Sequence, residues 1–159
     1  MDSVQRKQYD REYRQKNKDR IREMQTFLPL PSLIESAKVL DNKRLGKQRV
    51  EAKQILETLR GRSIGWKNHP AVRMWKDHEP ALAFYGLVIC SEWRSRGFKD
   101  SLYDYFVKEL NGSVIVYPSW FGDENFHASH RSNLLRKDSI FYSRFFWEEP
   151  SDLPYIWPV

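Results

Sequence analysis

The chain has 159 residues, 40% of them apolar, a net charge of +6 and one cysteine, Cys90. That length allows one domain with a real core and is too short for two, and a lone cysteine excludes an internal disulfide or a cysteine-based zinc site within one chain. No apolar run reaches the roughly 18 residues of a spanning helix, and residues 1–23 lack the apolar core of a secretion signal, so an intracellular, cytoplasmic protein is expected.

Residues 1–23 carry eight Lys/Arg and five Asp/Glu, a net of +3. Too few apolar side chains stand there to bury a core, so the segment reads as a basic extension, helical or disordered. The folded domain is expected over residues 24–159. Ser32 and Glu35 have capping-box spacing and start a helix. Asp41 or Asn42 starts a second, whose apolar face is Leu45, Ala52, Ile55, Leu56 and Leu59 and whose end is Gly61. Gly46 inside it is a weak spot or a place of close approach. Asn68 and Pro70 frame a further helix start, and Pro80 opens a helix that buries Leu82, Leu87, Ile89, Cys90 and Trp93 and stops at Gly97. A shorter segment runs from Asp100 to Asn111. Residues 113–117, SVIVY, are the one strand candidate, or else an extended loop. A helix from Phe126 to Lys137 follows, then an aromatic run through Trp147 and a Pro-rich, extended C-terminus. The fold class is mainly α, in one compact domain.

A basic chain suits a polyanionic partner such as DNA or RNA. Aromatics make up 14% of the residues, more than a core this size buries, so some should face a groove or partner. Three clusters bear chemistry. In residues 40–56, Arg44, Lys47, Gln48 and Glu51 are three or four apart and share a helical face. Cations there hold phosphates, and a carboxylate among them is expected to have a lowered pKa. The competing reading is a solvated, salt-bridged helix face. In residues 66–79, His69, Arg73 and His78 lie among Trp66 and Trp75, a mixture suited to phosphates and unstacked bases. The alternative puts the tryptophans in the core and the histidines at helix caps. In residues 120–138, His127, His130, Arg131, Asn133 and Arg136 are candidates for phosphate or base contact. His127 and His130 have no third metal ligand at a telling spacing, and neither a nucleophile elbow nor a phosphate-cradling glycine loop is present.

Taken in order, MQTFLPLP, LDNKRLGKQRVEAKQIL, GWKNHPAVRMW, ICSEWRSRGF and FHASHRSNLLRKD resemble the pyrimidine-dimer DNA glycosylases of the phage endonuclease V type. The resemblance covers about residues 24–158. It implies a monomeric DNA-repair enzyme with a compact helical fold that kinks double-stranded DNA, flips a nucleotide out and uses no metal or organic cofactor. In that family the α-amine of the mature N-terminus attacks the sugar, assisted by a Glu on the first long helix, and strand cleavage follows by β-elimination. The family's start maps to Met24-Gln25, so Met24 would carry the amine, yet 23 residues precede it here and make that nitrogen an amide. The assisting Glu maps near Gly46 to Gln48, and Glu51 is the nearest carboxylate. The expected catalytic set is therefore Glu51, Gln48 and Met24. Arg44, Lys47 and Arg49 match the family's basic helix, and Arg136 and Lys137 its late basic pair. The alternative is a DNA- or RNA-binding protein that keeps the fold without the chemistry.

Overall fold

The computed structural model describes residues 2–22 and 24–159. Among them are eight α-helices and no strand: α1 (Ser3–Arg22), α2 (Leu33–Val39), α3 (Asn42–Leu59), α4 (Pro70–Arg73), α5 (Glu79–Ser95), α6 (Tyr103–Leu110), α7 (Glu124–Lys137) and α8 (Ser139–Tyr142), with a 3-10 turn at Ser143–Phe145. None is long and apolar enough to cross a membrane.

The helices start where side chains accept the orphan N–H groups of the first turn. Ser32 accepts from the Glu35 amide at 3.2 Å and opens α2. Asp41 accepts from the Arg44 amide and opens α3. α7 begins at Glu124, two residues before the expected Phe126, because Asp123 caps it by accepting from the Phe126 amide at 3.1 Å. Residues 113–117 form no strand. No second strand lies beside them to share a ladder, and Val114 and Val116 stay exposed.

α5 lies at the centre. Ala81, Leu82, Ala83, Tyr85, Gly86, Val88, Ile89 and Cys90 are all buried, so apolar residues surround this helix rather than line one stripe. It packs against α2, α3 and α6. α3 offers it Leu45, Ala52, Ile55 and Leu56, each without accessible surface. Two glycines permit the close approaches. A Cβ on Gly46 would stand 2.8 Å from the Trp93 ring, and one on Gly86 would overlap the Phe106 ring of α6. Gly46 is thus a place of close approach between α3 and α5.

No described side chain of residues 2–12 is buried, whereas the core begins at Met24. Removal of residues 1–23 is therefore expected to leave the melting temperature within about 4 °C of the full chain's. A larger drop in a thermal melt would mean that the segment packs on the domain. Gly86→Ala is expected to cost about 1–3 kcal/mol in a urea titration, because its Cβ would lie 2.3 Å from the fully buried Phe106 ring.

Candidate active site

Between Met24 and Pro29 the chain is buried but not helical, so its peptide groups need partners from elsewhere. Side chains supply them. Gln48 of α3 donates to the Gln25 carbonyl at 2.8 Å and accepts from the Phe27 amide at 3.0 Å. The Tyr85 hydroxyl of α5 lies 2.5 Å from Gln48 Oε1 and 3.0 Å from the Phe27 carbonyl. His130 Nδ1 accepts from the Leu28 amide at 3.0 Å, and His127 Nδ1 lies 2.7 Å from the Leu28 carbonyl. Arg131 donates to the Pro29 carbonyl at 2.9 Å.

Glu51 closes this network. It is 6% exposed and accepts from Gln48 Nε2 at 3.0 Å and from the Gln25 backbone N–H. Lys47 Nζ lies 3.5 Å from its other oxygen. Burial raises its pKa above the ordinary carboxylate value, more than Lys47, Gln25 and Gln48 lower it. The expected lowering by neighbouring cations is overturned, because Glu51 has left water and only one cation pairs with it. Three buried polar atoms in this neighbourhood have no hydrogen-bond partner: Gln25 Oε1, Tyr155 Oη and His130 Nε2. The Glu51 charge also raises the Tyr155 pKa, after burial, which places the phenol within its field. Tyr155 stacks on His130 with ring centroids 4.6 Å apart. A buried polar atom left unpaired costs about 1–3 kcal/mol, so these three are hydrogen-bonding groups still available beside Glu51.

The C-terminal chain reaches this place because α7 holds it. Ser132 accepts from the Leu153 amide, Ser129 accepts from the Ile156 amide, and Arg136 donates to the Ser151 carbonyl at 2.7 Å.

The candidate residues of the sequence divide. Met24, Gln48 and Glu51 come together around the Gln25 peptide. All four hydrogen-bonding positions of the Gln48 amide are occupied, which makes it a positioning residue. Arg44 is paired with Asp41 at 3.2 Å and remains partly exposed, and Lys47 is 47% exposed. Arg49 turns inward instead, with its Nε 2.7 Å from the buried Asp100 carboxylate and its guanidinium over the Trp93 ring. His127, His130, Arg131 and Asn133 were expected to meet DNA and are buried. The extended segment needed the polar groups of His127, His130 and Arg131 in the core, and Arg131 is further held by Glu124 and Glu149. His69 caps α4, accepting from the Ala71 amide at 3.0 Å, while its ring meets Trp66 and Trp157 edge to face. Trp75 is a core residue. Arg73 is exposed and lines a cleft of about 580 Å³ together with Lys67 and Lys76. Arg136 is exposed and Lys137 half-buried.

Sequence reading missed Tyr85, Tyr155 and Gln25. Tyr85 left one signal, a polar tip within the apolar stretch of α5 from Ala81 to Cys90. Tyr155 left none, since only folding brings it near Glu51. Burial pushes the Cys90 thiol up to about 12, so it supplies no thiolate near neutral pH. Among the described residues, no three His, Cys, Asp or Glu side chains converge on a common point.

The histidines make stability depend on pH. Burial lowers both pKa values, that of His130 well below the ordinary 6.5. Unfolding exposes both rings, which then bind protons below 6.5. Their stabilising contribution is present above that value and lost as the pH falls. Glu51 acts in the opposite sense, since its raised pKa loses stability as the pH rises past 4.5. Two histidines outweigh one carboxylate, so melting temperature should fall between about pH 7.5 and about pH 5.5. The Glu51→Gln chain should gain on the wild type as the pH rises from 4.5, and parallel pH profiles for the two would refute the raised pKa.

No curated protein and no solved structure matches the chain. A family profile described as pyrimidine dimer DNA glycosylase matches residues 24–105. The match opens at the buried segment beside Glu51, takes in Gln25, Gln48, Glu51 and Tyr85, and ends within α6. With over half of its length matched, the chain belongs to the pyrimidine dimer DNA glycosylase family.

Proposed function

We propose that this chain is a DNA glycosylase that releases a damaged or modified base, such as one of a pyrimidine dimer, with Glu51 as its acid/base group. The observation that carries this reading is the Glu51 carboxylate itself. It is buried, has its pKa raised by that burial, and is set against the Gln25 peptide beside two unpartnered polar atoms, Gln25 Oε1 and Tyr155 Oη. A raised pKa brings a carboxylate toward the working pH, where general acid/base catalysis is most effective.

The reaction needs a nucleotide flipped out of the duplex so that its sugar faces Glu51. Glu51 takes a proton from water as the water oxygen bonds to C1′. The C1′–N bond breaks, its electron pair leaves with the base, and the base takes a proton from solvent. Gln48, fixed by Tyr85 and Phe27, holds Glu51 in place. Tyr155 Oη, a donor, and Gln25 Oε1, an acceptor, are buried and unpartnered near Glu51, and would meet an extrahelical nucleotide once the site opens to admit it. The water route requires no amine at Met24, whose nitrogen is a peptide amide in this chain. On this reading Lys47, Arg44, Arg73, Lys67, Lys76 and Arg136, none of them fully buried, hold the DNA backbone.

A second reading adds strand cleavage through an imine, and one observation favours it. The Lys47 amine lies 3.5 Å from Glu51. Borohydride reduction on abasic-site DNA would trap Lys47 covalently in that case, and no adduct would form by the water route.

Glu51→Gln is expected to retain DNA binding and lose about 10²–10⁴-fold in base release. Unchanged release would move the chemistry elsewhere. Binding without release by the wild type, on dimer, abasic and modified-base duplexes alike, would identify a DNA-binding protein that kept the fold alone. The cleft cations should appear in the salt dependence. Replacing Lys67, Arg73 and Lys76 together by Ala should flatten the plot of log affinity against log salt by roughly 2.7 if each meets one phosphate.

A further inference from the structure

Glu51 is 6% exposed, so a nucleotide reaches it only if part of its cover moves. Two extended segments meet beside it, residues 24–29 and residues 150–157, and they are held differently. The first is fixed from three helices through buried bonds at Gln25, Phe27, Leu28 and Pro29. The second is pinned to α7. Ser132 donates to the Pro150 carbonyl and accepts from the Leu153 amide at 3.0 Å, Ser129 accepts from the Ile156 amide at 3.2 Å, and Arg136 donates to the Ser151 carbonyl. Leu153, Tyr155 and Trp157 face inward while Asp152, Pro154 and Ile156 face water, as alternate residues of an extended chain do. None of the inward three is buried outright, and no residue after Tyr142 is a buried core residue.

Polar atoms on both sides of this seam lack partners. His130 Nδ1 accepts from the Leu28 amide, so its Nε2 carries the ring proton, and that proton meets no acceptor. The Tyr155 ring stacks on His130, and its hydroxyl is buried and unpartnered too. Tyr155 lies in the field of Glu51, and Tyr85 in the field of both, which sets the phenol against the Gln48–Glu51 network. Closure covers these groups and pairs neither, whereas lifting the segment gives both to water. Residues 24–29 present the opposite case, since their peptide groups are paired only while that segment stays in place. The later segment is therefore the part of the cover that can open by itself.

We infer that residues 150–157 form a strap that closes the Glu51 site by laying Tyr155 on His130, and that lifts from α7 to admit the extrahelical nucleotide. The inference rests on the glycosylase reading and names the step that exposes its acid/base group.

The test locks the strap in the full chain. The bond between Ser132 Oγ and the Leu153 amide brings these two α-carbons within disulfide reach, roughly 4.4–6.8 Å. In the chain with Ser132→Cys and Leu153→Cys, oxidation should tie the strap down, while Cys90, buried with its thiol pushed up to about 12, stays out of the reaction. A duplex with a pyrimidine dimer and 2-aminopurine beside it reports entry, since the fluorescence rises as stacking is lost. The oxidised chain should bind this duplex and lose most of the rise, and reductant should restore it. A full rise from the oxidised chain would overturn the strap. Equal base release by the oxidised and reduced chains would overturn it and leave the glycosylase reading standing. A rise under redox control in a chain that releases no base would uphold the strap and remove the glycosylase reading. A second variant needs neither a disulfide nor DNA. Ser129→Ala with Ser132→Ala removes two pins and keeps α7, because alanine favours helix. Hydrogen exchange at the Leu153 and Ile156 amides should quicken about tenfold with the melting temperature unchanged, while the Phe27 and Leu28 amides keep the wild-type rate. Acceleration at all four amides alike, or at none, would overturn the strap.

Discussion

The structure depends on a buried extended stretch that has no strand to pair with. Residues 24–29 cross the core, and each buried peptide N–H or C=O left unpaired would cost about 1–3 kcal/mol. A domain of this size is stable by only about 5–15 kcal/mol, so a few such losses would unfold it. Side chains from three helices meet the requirement: Gln48 from α3, Tyr85 from α5, and His127, His130 and Arg131 from α7. The cluster of polar groups inside an otherwise apolar core follows from this one need. So do the protonation states. The Leu28 amide donates to His130 Nδ1, and the Gly122 amide donates to His127 Nε2, so each ring must keep one nitrogen free of a proton.

The same network sets the character of Glu51. Gln48 has two donors, one spent on the Gln25 carbonyl and the other on Glu51. Its carboxylate is thereby drawn out of water and against the chain, where burial favours the proton-bound form. A salt-bridged helix face in solvent would have done the reverse. The difference from Asp41 is instructive. Burial would raise its pKa too, but hydrogen bonds from Tyr142 and Arg44 and the Arg44 charge outweigh burial and hold it below the usual carboxylate range. One carboxylate is a helix cap and remains charged. The other has its pKa raised by burial, in the direction that eases uptake of a proton.

The positive charge of the chain divides in a similar way. Several arginines are spent on structure, since a guanidinium can meet several acceptors at once. Arg49 serves Asp100, Arg131 serves two carboxylates and a carbonyl, and Arg96 takes carbonyls at the end of α2. Lys67, Arg73 and Lys76 around their cleft are left facing water. Net charge alone therefore points to a polyanion without saying which residues meet it.

The local order of the chain was legible because capping and periodicity are local. Ser32 and Asp41 cap helices as their side chains predict, α3 buries Leu45, Ala52, Ile55 and Leu56, and α5 runs between its proline and its glycine. The α3 stripe of Arg44, Lys47, Gln48 and Glu51 was legible for the same reason, as residues three and four apart must share a face. Which members of the basic helices face solvent was not. His127, His130 and Arg131 looked like a surface set and are buried, because their partners lie about 100 residues away in the segment at 27–29. Tyr155 meets the field of Glu51 only because α7 ties down residues 151–156. The amino-acid sequence by itself determined the helices, their caps and the polar stripe on α3. Tertiary structure alone decided which polar groups left water, since burial depends on what packs above a residue, and burial is what raises the pKa of Glu51.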